Sequence, residues 1–157
     1  MSEAGKIDKR IIENKKESSG GAQYIFTGTD SKFWKDVYVT SNALYRAMRE
    51  YNQTHKDKYE GTYPIQAWTA EMWATLWMFW KKGMKTEISK RLDFSWSTDK
   101  IETIGNKRIL HNAGVLDKHD GFFRKSNYQN ENPPCNLNIT KTHCSYYYYK
   151  QVLEATC

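Results

Sequence analysis

One stretch limits the folds open to this chain more than any other: residues 67–83, AWTAEMWATLWMFWKKG. Trp68, Met72, Leu76 and Phe79 recur at helical spacing, and Trp73, Trp77 and Trp80 widen that face into a broad apolar band. Gly83 stands where a left-handed helix stop belongs. A helix this apolar demands deep burial. It is too short, and too closely flanked by polar residues, to cross a bilayer, which takes roughly 20 apolar residues. Whatever else the chain does, it has to wrap a core around these rings.

The partners for that helix are legible nearby. Asp30 and Ser31 are N-cap residue types, and Phe33, Val37, Leu44, Met48 and Tyr51 follow at helical spacing, which predicts a helix from about Ser31 to Gln53. Tyr24 to Thr27 reads as a short strand entered from the Gly20–Gly21 pair. KTEISKRLDFSWS reads as extended, Arg108–Leu110 as another short strand, and Ser145 as the cap of a last helix through YYYYKQVLEA. The fold class expected is α/β (α+β-like), mainly helical with a few short strands. At 157 residues one domain is expected, covering 20–157. Residues 1–19 are dominated by Lys, Glu, Ser and Asn, with only Ile11–Ile12 as an apolar nucleus, and read as a flexible polar tail or a frayed short helix.

The formal charge of +6 makes an anionic partner plausible, but Lys and Arg are spread along the chain, so nucleic acid is not favoured. Cys135, Cys144 and Cys157 form an odd, irregularly placed set without a Cys-x-x-Cys pair. A reducing, cytoplasmic setting is the simpler inference, and with no signal-like apolar run the Asn52-Gln-Thr and Asn138-Ile-Thr triplets read as chance glycosylation matches. Cys135, His143 and Cys144 make a poor zinc set, because their spacing matches no standard site. Hydrolase, Walker and dinucleotide loops are missing from the sequence.

Several residues remain as candidates for chemistry. His111 ends an apolar run, RILH, and is followed by Asn-Ala-Gly; an imidazole there can meet a metal or a phosphate, or can be an ordinary hydrogen-bonded strand end. Asp117, His119 and Asp120 lie in a turn-like stretch close by. Glu71 stands among large rings, where burial would raise its pKa for proton transfer, although a first-turn acid also offsets the helix dipole. Trp68, at the helix start, can wall a ligand, and Arg124 with Lys125 can pair with diphosphate oxygens or simply be solvated.

Taken in order, GGAQYIF, FWKDVYVTSNALYRAM, IQAWTAEMWATLW, LDFSWSTD, ILHNAGV, GFFRKSNY and CSYYYYK resemble the C-terminal, acceptor-side part of GT-A-type nucleotide-sugar glycosyltransferase-like proteins of bacteria and large viruses. The resemblance spans about Gly20 to Lys150 and implies transfer of a sugar from a nucleotide-sugar donor to a glycan or other acceptor. It implies that Gly20, Gly21 and Gln23 lie beside donor or acceptor and that Glu71 lies near the acceptor as a base or anchor. It further implies that His111 ligates Mn²⁺ or Mg²⁺, that Gly114 lets the backbone approach the donor diphosphate, and that Arg124 or Lys125 faces its charge. Such enzymes carry an Asp-x-Asp motif and an upstream nucleotide-binding half. This sequence has no Asp-x-Asp, so the expectation is a fragment, a split partner or a relative inactive by itself. The rival expectation is a non-catalytic basic and aromatic module that grips a glycan or a nucleic acid strand.

Overall fold

The tryptophan-rich stretch is a helix in the computed structural model, which describes residues 1–18, 23–59, 64–115 and 121–157. This helix, α3 (Ala70–Lys81), follows a 3-10 turn, Ala67–Thr69, and every residue from Ala74 to Trp80 is buried. Gly83, at φ +73°, closes it as expected, with the Met84 amide donating to the Phe79 carbonyl at 3.0 Å. The other long helix, α2 (Ser31–Thr54), is capped by Asp30, which accepts from the Phe33 amide at 2.7 Å. Its buried residues Phe33, Val37, Leu44 and Met48 form one stripe that meets α3, and Phe33 stacks on Phe79 with ring centroids 4.9 Å apart. Each such side chain contributes about 1.5–3 kcal/mol by leaving water.

The chain divides into two compact units, Met1–Ile88 and Ser89–Cys157. The polar N-terminal stretch belongs to the first. Its helix α1 (Lys9–Lys15) is capped by Asp8, and Ile7 is buried in the α2–α3 core with Ala4, Ile11 and Ile12 packed against it. Gly5 lies so close to the Trp77 ring that a Cβ there would stand 2.8 Å from it. Four apolar side chains among many charges thus suffice to dock this segment, because they meet an all-round apolar helix. The strand expected at Tyr24 to Thr27 is not formed: residues 23–27 are irregular, and Phe26 instead packs its ring 5.1 Å from Trp34 and 5.7 Å from Phe79. Ring contacts rather than strand pairing hold this segment.

The second unit contains a two-stranded parallel sheet, β1 (Phe94–Trp96) and β2 (Ile109–His111), with Phe94 beside Ile109, Ser95 beside Leu110 and Trp96 beside His111. A 3-10 segment, Ile101–Gly105, lies in the crossover between them. The last helix, α4 (Cys144–Thr156), begins one residue before the expected cap, with His143 at the N-cap position. Its first amides are satisfied by the loop after β1: Cys144 N–H donates to the Asp99 carbonyl and Ser145 N–H to that of Ser97, each at 2.9 Å. Ser145 is therefore released from capping, and its buried hydroxyl instead bonds the Phe123 backbone amide.

The interior of this unit is partly aromatic, with Phe123 and Tyr149 buried and their ring centroids 5.3 Å apart, and partly hydroxylic. Ser95, Ser97 and Ser145 are fully buried beside Cys144; Thr103 donates to Ser95 at 2.9 Å, and Ser97 donates to the side chain of Asn112. Cys135 and Cys157 are joined in a disulfide, which removes Cys135 from any zinc set and withdraws the support that the odd cysteine count lent to a reducing compartment. Cys144 is the buried free thiol. Among the described residues no helix is long and apolar enough to cross a membrane.

Candidate functional site

The two strands end side by side, and the register places Trp96 against His111 at their carboxyl ends, the edge where open parallel sheets hold ligands. Alternation puts Phe94 on the same face as Trp96. The His111 ring lies 5.1 Å from Phe94 and 4.9 Å from Trp96, and the Phe94 and Trp96 rings meet nearly edge to face at 4.9 Å. His111 is half-buried in this cluster, whereas Trp96 remains 41% exposed. The result is an aromatic step with one open indole.

Backbone contacts hold the step in place. Asp99 accepts from the Trp96 amide at 2.9 Å, and the Lys107 ammonium donates to the Phe94 carbonyl at 2.8 Å while lying 3.6 Å from the Asp93 carboxylate. Gly114 takes φ +85°, the left-handed region open to glycine, and a Cβ there would stand 3.8 Å from the Trp96 ring. On the opposite face Asn112 is 7% exposed, and among the described residues its Nδ2 has no hydrogen-bond partner.

His111 and Gly114 are thus brought together, on Trp96. The other candidates are elsewhere. Arg124 is half-buried, donating to Ser126 at 2.9 Å, and Lys125 is exposed at the start of a 3-10 turn, Lys125–Tyr128. Glu71, Trp68 and Gln23 belong to the first unit: Glu71 is exposed in the first turn of α3, not buried among the rings, Trp68 is 67% exposed, and Gln23 is half-buried. Near them Tyr24, Gln66, Thr69, Met72 and Trp73 line a hollow of about 340 Å³. Burial, and secondarily the Glu71 carboxylate, push the Tyr24 phenol above its ordinary value. Gly20, Gly21, Asp117, His119 and Asp120 lie outside the described residues.

A divalent cation does not fit what the described residues offer at His111. The imidazole is flanked by two rings, and among the described residues no group of three or more His, Cys, Asp and Glu side chains can hold a metal. Hard cations require several oxygen donors. Phe94, Trp96, Asp99 and Lys107 were not among the sequence candidates. The alternation Phe-Ser-Trp, one strand face aromatic and the other hydroxylic, was the signal for the first two.

Compared with known proteins, the chain matches no family model, no curated protein and no solved structure.

Proposed function

We propose that the chain binds a sugar-bearing ligand, with the open face of Trp96 as its platform. A pyranose covers an indole with its C–H face, and the neighbouring His111 nitrogens offer a donor and an acceptor to its hydroxyls. The net charge of +6 adds attraction for an anionic, phosphorylated form of such a ligand. The observation that supports this reading is the gathering of Phe94, Trp96 and His111 at the carboxyl ends of two parallel strands with Trp96 left exposed.

A second reading is glycosyl transfer from a nucleotide sugar. It is favoured by His111 and Gly114, both donor-side residues under the resemblance, converging on the same ring. In that reading Trp96 and His111 orient the donor sugar. Any Mn²⁺ or Mg²⁺ would need oxygen ligands beyond those described.

Titration of the protein with a neutral oligosaccharide, UDP-glucose and UDP, each with and without Mn²⁺ and read by tryptophan fluorescence, tests both. Sugar-bearing ligands should bind and Trp96→Ala should abolish binding while leaving the circular dichroism spectrum unchanged. Release of UDP from UDP-glucose would promote the transfer reading. Binding that is absent in the wild type, or unchanged in Trp96→Ala, overturns the platform.

A further inference from the structure

We propose that Asn138 is an acceptor for an N-linked glycan and that Asn52, in the same type of triplet, is not. Both stand in Asn-x-Thr, at Asn52-Gln53-Thr54 and Asn138-Ile139-Thr140. The structure separates them. Asn52 sits half-buried near the end of α2, and its carboxamide clamps the chain across a loop: Nδ2 donates to the Ile65 carbonyl at 2.7 Å and Oδ1 accepts from the Ile65 amide at 3.0 Å. A sugar on Nδ2 replaces one of its two hydrogens and has to fit against a half-buried carboxamide bonded twice to Ile65, so glycosylation there competes with the clamp.

Asn138 is exposed in irregular structure and stands at the centre of a three-residue turn closed by the Ile139 amide and the Leu137 carbonyl at 3.1 Å. The loop is pinned without it. The Tyr149 hydroxyl donates to the Pro134 carbonyl at 2.6 Å and accepts from the Leu137 amide at 3.0 Å, and the Thr140 amide donates to the Gly121 carbonyl at 2.8 Å. Among the described residues the Asn138 carboxamide has no hydrogen-bond partner, so a glycan there displaces no contact. The segment is also bracketed by the Cys135–Cys157 disulfide. Disulfides persist in oxidising compartments, and in such a compartment Asn-x-Thr on a surface loop meets its transferase.

The step is a glycosyl transfer from a lipid-pyrophosphate-linked oligosaccharide. Asn138 Nδ2 forms a bond to the anomeric carbon and loses one proton to the transferase. The bond from that carbon to the pyrophosphate oxygen breaks, and the lipid pyrophosphate leaves with the electron pair.

The full chain, directed into the secretory lumen of eukaryotic cells by an added leader, provides the test. The folded lumenal protein should carry one glycan, removed in a single electrophoretic step by peptide N-glycosidase, which should convert Asn138 to Asp in the peptide mass spectrum. Asn138→Gln and Thr140→Ala should each abolish the step. Thr54→Ala, which ends the other triplet while keeping the Asn52 clamp, should leave it unchanged. A lumenal protein with Asn138 unmodified, or a protease-resistant folded protein glycosylated at Asn52, overturns the proposal.

Discussion

Met1–Ile88 and Ser89–Cys157 solve the problem of an interior in opposite ways. The first buries Phe33, Leu44, Met48, Trp77, Phe79 and Trp80 between two long helices. The second has few regular elements and, beside buried Phe123, Cys144 and Tyr149, encloses Ser95, Ser97, Ser145 and Asn112, each held by a directed hydrogen bond, with a disulfide between Cys135 and Cys157. Apolar burial is non-directional and scales with area. A buried hydroxyl depends on its partner, because an unmatched buried group costs about 1–3 kcal/mol, and among the described residues of this unit Asn112 Nδ2 is the buried side-chain atom left unmatched. One unit is defined by how much it buries and the other by what meets what.

Perturbations can be aimed at either side of that contrast. The largest expected effect is in the first unit. Phe79→Ala removes a ring that touches both Phe26 and Phe33 and should cost about 3–5 kcal/mol in denaturant unfolding. Amide exchange should show that loss in α2 and α3; equal loss of protection in β1, β2 and α4 would mean that the two interiors are not separate. Next in size, reduction of Cys135–Cys157, or its replacement by serines, should cost roughly 3 kcal/mol for a loop of separation 22, with the loss of protection confined to residues 89–157.

Smaller again, Ser145→Ala strands the Phe123 amide and should cost about 1–3 kcal/mol, whereas Leu76→Met in the first unit should cost under about 1.5 kcal/mol because volume and apolarity are kept. If the serine substitution proves the milder of the two, the contrast fails. The smallest effect is electrostatic. The Tyr24 phenol titrates above the ordinary value of 10.0 when folded, so the unfolded chain ionises first. The stabilisation it lends is whole below about pH 10 and is lost as pH rises through the folded value. Glu71→Gln should bring that titration down part of the way, with burial keeping it above 10.0, as read from difference spectra against Tyr24→Phe.

The same contrast explains what could be read from the sequence. Helical spacing located α2 and α3 within about a residue or a short entry turn, because an apolar stripe has few other uses. Ser145 misled in a specific way: a serine ahead of an aromatic helix looks like a cap, and only the tertiary fold shows that the loop carbonyls of Ser97 and Asp99 do the capping. Residues 1–15 looked solvated because four apolar side chains among many charges give no periodic signal, yet Ile7 is buried. Within the candidate site, His111 and its strand end were legible, but the ring that gives them a ligand surface was not. Trp96 becomes a neighbour of His111 only through a parallel pairing across a crossover, and pairing register leaves little trace in one sequence.

The hydroxyl layer has a consequence for how this chain can drift over generations. A greasy interior accepts many neutral exchanges among leucine, methionine and isoleucine, each opening the way to another. At Ser95, Ser97 and Ser145 there is no such path: an alanine abandons a partner, a threonine brings a methyl group for which a fully enclosed position has no room, and only cysteine matches the volume at the loss of a strong donor. In any lineage descended from this molecule, the tryptophan-rich half should therefore become unrecognisable first, and these small polar positions last.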